Sequence, residues 1–216
     1  MKLVSVNVSR GATVAWKGRN VQTGIFKKPV SGAVHVRRLN LDGDQQSDLS
    51  VHGGEYKAVY AYALQHYAWW QEELGRDLPY GAFGENLTIA EFPEEEVCVG
   101  DVIKIGAVEL EAVQPRFPCY KLGLRFNDAG MVARFLDSER WGVYFRVLKE
   151  GPVAAGDPVE WLYRDPARVP VPELIKLLRA PVSTAASLRR ALSATALTPD
   201  WRDKLTDNLR KSEERQ

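Results

Sequence analysis

The segment 113–122, which reads VQPRFPCYKL, combines residue types that could carry out chemistry. Two prolines precede Cys119, a Tyr-Lys pair follows it, and Arg116 lies three residues before it. The thiolate is the reactive and metal-binding form of cysteine, and nearby positive charge favours it. Because proline restricts its own φ and the residue before it, we expect a stiff, non-helical loop that leaves a strand. The segment predicts a partly exposed thiol held near Arg116 and Lys121.

Cys119 also has a second interpretation, since most free cysteines are small buried hydrophobes. The run Arg-Phe-Pro-Cys-Tyr-Lys is unusual for a protein core, so the chemical role is placed first. The other cysteine, Cys98, lies in an alternating strand-like pattern between two valines and is expected to be inert.

Composition indicates a globular protein with one substantial core and a smaller appendage. The chain has 216 residues, of which 45% are hydrophobic. Its formal net charge of +1 argues against broad electrostatic binding of nucleic acid or anionic membrane, although a local basic pocket stays possible. The two cysteines form no zinc-like spacing, no signal peptide is recognised, and no apolar run reaches the roughly 20 residues of a membrane helix. We expect a reduced, cytoplasmic protein.

Alternating apolar residues predict a mainly β body. The pattern is clear at 2–10 and 32–41, and it returns at 57–63. Helical spacing at 64–74, followed by Gly75, predicts one short helix, and a second is expected at 131–136. Residues 11–30 are mixed and turn-rich. Further strands are expected within 79–91, 97–105, 109–114, 144–149 and 153–162.

The composition shifts near Arg164, where DPARVPVP predicts a linker. Three short amphipathic patterns follow, which begin near Pro172, near Ser183 or Thr184, and near Thr198. A unit of about 50 residues is marginal alone, so we expect it to pack on the β body or on a second subunit. The predicted domains are 1–164 and a three-helix unit, 165–216.

Five motifs occur in the order HGGEYKAVYAY, GAFGENLT, GDVIKIG, QPRFPCYKL and RVLKEGPVAAGD. In this order they resemble the MOSC domain, a fold shared with molybdenum cofactor sulfurases, and with the helical tail they are most similar to its bacterial YiiM-type subgroup. The resemblance covers nearly the whole chain. It implies a mainly β, barrel-like fold with a few short helices, and a molybdopterin-type cofactor whose molybdenum is bound by a cysteine, here Cys119. Pyridoxal phosphate binding is a further association of the family.

The resemblance also implies an activity, the reduction of N-hydroxylated compounds such as hydroxylamino-purines. Because the sequence has no flavin, haem or iron–sulfur signature, this activity requires a separate electron-donating reductase. Two alternatives belong to other classes: a cofactor carrier or insertion protein without turnover, and a sulfur-transfer protein with a persulfide on Cys119. A homodimer stays open, since the tail and the tryptophan-rich helix offer apolar surface.

The phosphate and the pterin ring of such a cofactor require different groups, namely cations for the phosphate and paired donors and acceptors for the ring. A glycine beside an amide side chain can bring backbone close to a planar ring, and His52, followed by two glycines, could bind phosphate or lie near the metal. His35 and His66 are interpreted as ordinary strand and helix residues. The candidate cofactor-binding residues are His52, Lys57, Phe83, Gly84, Glu85, Asn86, Arg116 and Lys121.

Several of these residues have structural alternatives. Lys57 could be a solvated strand end, Gly84 could only shape a hairpin, and Glu85 could accept backbone N–H groups. Asp42, Asp44 and Asp48 resemble a loose calcium loop, but the pattern lacks the terminal glutamate, and we predict no metal there.

Overall fold

The computed structural model describes residues 1–47, 53–180 and 183–214. Twelve strands lie within these ranges. They are β1 (Lys2–Val8), β2 (Ala12–Trp16), β3 (Arg19–Thr23), β4 (Lys28–Pro29), β5 (Val34–Val36), β6 (Val59–Ala63), β7 (Leu87–Ala90), β8 (Val102–Ile105), β9 (Val108–Pro115), β10 (Val143–Lys149), β11 (Gly151–Val153) and β12 (Val159–Tyr163).

The described residues also form six α-helices and two short 3-10 turns, Glu55–Lys57 and Glu94–Glu96. None of the described helices has the length and apolar character needed to cross a bilayer. The helices are α1 (Gln65–Leu74), α2 (Tyr120–Phe126), α3 (Met131–Asp137), α4 (Val171–Arg179), α5 (Ala185–Leu192) and α6 (Pro199–Glu213).

An eight-stranded sheet, in the order β12-β8-β9-β10-β6-β7-β1-β4, forms the body of the molecule. Its pairs are antiparallel except β6 with β7, which are parallel because α1 carries the chain back between them. The two outer regions of the sheet approach each other, since Val159 N donates to Met1 O over 3.0 Å. The strand order itself is that of an open sheet. The prediction of a sheet-rich fold is therefore confirmed, whereas a closed barrel is not.

Most strands and helices lie where the sequence patterns predict them. The helix at 64–74 is observed as α1, and Gly75 ends it with a left-handed backbone, φ 62°. Four elements were missed. Three of them, the β2–β3 hairpin and the short strand β4, lie in the stretch that was read as turn-rich.

Helix α2 is the fourth missed element, because the segment around Cys119 was predicted to be non-helical. That prediction is correct up to Cys119 and wrong from Tyr120 onward. A proline restricts the residue before it and not the residues that follow. Cys119 is extended, with φ −120° and ψ 171°, and the helix begins directly after it.

The three C-terminal helices pack on the sheet. Their buried apolar side chains, such as Leu174, Leu188 and Trp201, belong to the same buried cluster as the strands. The chain that leads to them is anchored rather than loose, since Val171 N donates to Val97 O over 2.7 Å. The predicted cap is also observed, with Thr184 accepting from Ser187 N over 3.2 Å. The division into two domains at 164/165 stays a prediction.

Candidate functional site

An open pocket lies at one end of the sheet, between β6, β10 and the loops before β4 and after β9. Residues from six separate parts of the chain meet there. The lining residues are Thr23, Gly24, Ile25, Lys27, Asp44, Gln45, Gln46, Ser47, Lys57, Tyr60, Gly84, Asn86, Arg116, Cys119, Lys121 and Tyr144. The pocket therefore contains six of the nine residues singled out from the sequence.

Cys119 lines this pocket and is half-buried. Strand β9 ends at Pro115, and the first turn of α2 fixes the thiol, since Leu122 N donates to Cys119 O over 2.9 Å. Cys98 lies elsewhere and is buried, with its Sγ donating to Glu96 O over 3.4 Å. Burial raises the pKa of the Cys98 thiol. Cys119 is thus the thiol that a ligand in the pocket can reach.

Arg116 places a buried positive charge in the wall, with only 6% of its surface exposed. Its guanidinium carbon lies 5.4 Å from the centre of the Phe135 ring, and its backbone N donates to Gly142 O over 3.3 Å. Among the described residues no group accepts a hydrogen bond from Arg116 Nη1, although this atom is buried. Leaving a buried donor unpaired is costly, so an anionic oxygen in the pocket would satisfy it.

Both lysines among the candidate cofactor-binding residues, Lys57 and Lys121, also line the pocket. Lys121 is the second residue of α2 and is only 7% exposed; within the described ranges its ammonium has no hydrogen bond or ion pair. Lys57 ends the 3-10 turn and is half-buried. Burial lowers the pKa of Lys57, whereas Asp200 opposes this shift and Lys204 adds to it. Both of these charged residues lie on α6, so the tail reaches the electrostatic surroundings of the pocket.

Lys27 and Asp44 form an ion pair in the pocket wall that the sequence patterns did not reveal. Asp44 Oδ1 accepts from Ser9 N over 2.8 Å, and Asp44 Oδ2 accepts from Asn86 Nδ2 over 3.0 Å. Burial lowers the pKa of Lys27, and the Asp44 carboxylate opposes that shift. The only available signal was the LDGD run, which was read as a failed calcium loop.

Asn86 lines the pocket, and its amide is already engaged within the protein. Its Nδ2 donates to Asn7 O over 3.3 Å and to Asp44, while its Oδ1 accepts from Tyr60 N over 3.1 Å. Both amide hydrogens are therefore used. The side chain holds Asp44 and the start of β6 in place, and its backbone pairs with Tyr60, since Asn86 N donates to Tyr60 O over 2.8 Å.

The loop before β7 contains three of the predicted residues, Phe83, Gly84 and Glu85, and only Gly84 faces the pocket. Gly84 lines the pocket with φ 79°, and a Cβ there would lie 3.1 Å from Ile25 Cγ1. Glu85 and Phe83 are fully buried and do not line the pocket. The sequence reasoning placed both at the cofactor, whereas the structure places them behind the wall. His52 lies outside the described residues.

Glu85 organises this loop as an acceptor. It takes hydrogen bonds from the Tyr67 hydroxyl, from Gly81 N at 2.8 Å and from Phe83 N at 3.1 Å. Thr88 Oγ1 also donates to it over 2.9 Å. Burial raises the pKa of Glu85, and these hydrogen bonds oppose the rise. The interpretation of Glu85 as a structural acceptor is the one that fits these contacts.

Within the described residues, the pocket thus offers one accessible thiol beside buried cations, a set of groups suited to an anionic ligand and to a soft metal ion. Within the described residues no group of three or more His, Cys, Asp or Glu side chains could hold a metal ion without outside ligands. A molybdopterin-type cofactor brings its own dithiolene sulfurs and an anionic phosphate. The single accessible thiol and the unpartnered Arg116 Nη1 fit such a group.

Comparison with known proteins identifies the family of this chain. Residues 48–160 match the MOSC domain, and the chain belongs to the MOSC domain family. It is 39% identical over 200 residues to "Uncharacterized protein YflK" of Bacillus subtilis, covering 93% of this chain and 90% of that protein. It is 34% identical over 167 residues to a "Reductase" of Gibberella moniliformis, covering 76% of this chain but 30% of that protein.

A solved structure gives the same result for the fold. The crystal structure of YiiM from Geobacillus stearothermophilus superposes with a TM-score of 0.81 and 30% identity, covering 96% of this chain and 98% of that one. The resemblance stated from the five motifs is therefore confirmed. Family membership supports a function related to the molybdenum cofactor.

Proposed function

We propose that this protein binds a molybdopterin-type cofactor through Cys119 and reduces N-hydroxylated small molecules such as hydroxylamino-purines. The observation that carries the proposal is the shared pocket of the Cys119 thiol and the buried Arg116, whose Nη1 has no partner among the described residues. A soft thiolate suits molybdenum, and a guanidinium suits a phosphate oxygen. The relative named "Reductase" supports the oxidoreductase class, although the match spans a minor part of that longer protein.

Each pocket residue has a role in this proposal. Cys119 would supply the protein's sulfur ligand to molybdenum, and Arg116 and Lys121 would neutralise the phosphate, with Lys57 beside them. The Gly84 backbone would border the pterin, and Asn86 would keep the wall in place. When bound, the cofactor would supply the two-electron chemistry that converts an N–OH group into N–H and water. The buried walls around Arg116 would exclude water from the charged contacts, which strengthens them.

The electrons would come from a separate reductase. Phe117 and Tyr120 are exposed large hydrophobic side chains on either side of Cys119, and they would give such a partner an apolar contact next to the thiol. The proposal includes a cytoplasmic location, which would keep Cys119 reduced. The homodimer is a further proposal that these contacts do not require.

Metal and pterin analysis of anaerobically purified protein tests the proposal. Wild type should contain molybdenum and a fluorescent pterin, and Cys119→Ser should lose at least about tenfold of the metal because a hydroxyl is a poor ligand for a soft ion. Cys98→Ser is the matched control, since Cys98 lies outside the pocket, and it should keep its metal. Equal molybdenum in wild type and Cys119→Ser would refute the thiolate ligand.

Turnover separates the oxidoreductase from the two alternative functions. Wild type supplied with a hydroxylamino-purine and a reduced viologen dye should release the amine. Bound molybdenum and pterin without turnover would instead indicate a carrier or insertion protein. A persulfide on Cys119 in protein that lacks pterin would indicate sulfur transfer.

A further inference from the structure

The ion pair of Lys27 and Asp44 lies in the same pocket as Cys119, and both of its side chains are buried. Lys27 is 8% exposed. Both oxygens of Asp44 are also held by other donors, Ser9 N and Asn86 Nδ2. The carboxylate is therefore fixed in the wall, and it fixes the lysine ammonium in turn.

Within the described residues, Lys27 differs from Arg116 and Lys121, two other cations of the pocket, in having a carboxylate partner. Its charge is already balanced by Asp44, whereas Arg116 Nη1 and the Lys121 ammonium have no partner among the described residues. A neutralised cation adds little to the binding of an anion. A desolvated ammonium, however, gives up its proton more readily than one in water.

The charged groups around Lys27 set how readily it releases that proton. Burial has the largest effect and lowers the pKa of Lys27; Asp44 and Glu85 raise it, and Arg116 lowers it further. The balance leaves the pKa of Lys27 below its ordinary value. Proton donors work best when their pKa lies near the operating pH.

We infer that Lys27 is the proton donor to the substrate in the proposed reduction, and that Asp44 orients it. The inference rests on the proposed function. In the balanced reaction, R–NHOH takes up two electrons and two protons and yields R–NH₂ and water. The N–O bond breaks, and Lys27 gives its proton to the departing oxygen, which leaves as water. The nitrogen takes the second proton from solvent, solvent reprotonates the lysine, and the reductase or a reduced viologen dye supplies both electrons.

Three variants test the donor role. Lys27→Arg keeps the positive charge and an ion pair with Asp44 but is a far weaker acid, and Lys27→Met removes the proton altogether. Lys28→Met is the matched control, since Lys28 is the adjacent lysine and is exposed. Molybdenum and pterin content are measured in each variant, followed by kcat, KM and the pH profile with a hydroxylamino-purine and reduced viologen.

We expect Lys27→Arg to retain its molybdenum and pterin and to lose about 10²-fold in kcat, the usual contribution of a positioned acid, with a smaller change in KM. In wild type kcat should fall as the pH rises through the pKa of Lys27, and Lys27→Arg should lack this fall. Unchanged kcat and pH profile in Lys27→Arg would overturn the inference. Loss of the cofactor from Lys27→Arg would also overturn it, because Lys27 would then serve retention.

A second readout does not depend on turnover. Selective NMR of the lysine amines, with Lys27 assigned from Lys27→Arg, should show Lys27 titrating below its ordinary pKa of 10.5. Asp44→Asn should lower that midpoint further, since Asp44 favours the charged form. A midpoint at or above the ordinary value would overturn the donor role even in an active enzyme. Wild type without molybdenum or turnover would instead remove the proposed function, and the donor role with it.

Discussion

The guanidinium carbon of Arg116 lies 5.2 Å from the centre of the Tyr60 ring. Tyr60 is itself fixed, because its hydroxyl donates to Trp141 O over 2.9 Å. Its backbone N also donates to Asn86 Oδ1, and its backbone O accepts from Asn86 N. A cation over an aromatic face is stabilised electrostatically. The positive charge in the pocket is therefore in position before a ligand arrives.

Replacing Arg116 with methionine should separate stability from ligand binding. The change removes a cation–π contact, worth up to about 2 kcal/mol when desolvated, and relieves an unpartnered buried donor that costs about 1–3 kcal/mol. These effects oppose each other, so the free energy of unfolding in urea should stay within about 1 kcal/mol of wild type. Cofactor content should fall at least about tenfold, since the phosphate loses its buried partner.

Arg116→Lys provides the comparison for that variant. It keeps the charge but not the planar donor geometry, and it should retain an intermediate amount of cofactor. Full retention in Arg116→Met would show that the guanidinium does not hold the ligand.

Replacing Glu85 with alanine should destabilise the fold. The change leaves the buried N–H groups of Gly81 and Phe83 without their acceptor, together with two hydroxyl donors. We expect a loss of about 3–5 kcal/mol in the free energy of unfolding, measured in urea, as for breaking a buried charged network. Glu95→Ala, at an exposed position in the neighbouring 3-10 turn, should change it by less than about 0.5 kcal/mol. A small effect at both positions would contradict the organising role of Glu85.

Stability at alkaline pH should depend on Lys27. Because burial lowers its pKa in the folded protein, the unfolded chain holds the proton more tightly between that lowered value and 10.5. More protons are then bound in the unfolded state, so the contribution of Lys27 to the free energy of unfolding rises with pH across this window. Urea unfolding at several pH values should show the difference between wild type and Lys27→Met moving in favour of wild type as pH rises. A pH-independent difference would argue against the shift.

Gly24 is a position where the pocket wall requires the absence of a side chain. A Cβ there would lie 2.1 Å from Gln45 O, so Gly24→Ala must push two pocket-lining segments apart. We expect a loss of about 1–3 kcal/mol in urea unfolding, together with reduced cofactor content. Gly130→Ala is the control, because its Cβ would meet only the Asp128 side chain, at 3.2 Å. That variant should stay within about 1 kcal/mol of wild type and keep its cofactor.

The pocket residues that could be predicted from the sequence are those that lie close to one another along the chain. Arg116, Cys119 and Lys121 lie within six consecutive positions, and the turn between β9 and α2 brings all three to the pocket. Lys27 and Asp44 could not be found in this way, because each becomes meaningful only through a partner far along the chain. Glu85 and Phe83 were misplaced for a related reason. Neighbouring side chains of a tight loop point in different directions, and the sequence spacing alone does not tell which of them faces the pocket.

The strands were predicted well because an alternation of apolar and polar residues indicates a strand with one buried face, as in β1 and β10. Whether the sheet closes into a barrel could not be predicted from this signal. It depends on which strands meet at the edges, and the contact between Val159 and Met1 joins residues at opposite ends of the body. The β2–β3 hairpin was missed because nearly all residues of its two strands are exposed or half-buried, so they show no clear buried face.

The lining of the pocket runs from Thr23 to Tyr144, and β1 is hydrogen-bonded to the chain near Val159. During synthesis, therefore, the early strands leave the ribosome well before the residues that complete the binding site. For the proposed cofactor, loading would then follow assembly of the sheet. The apo-protein would have to persist in the cell until the cofactor enters through the open mouth of the pocket.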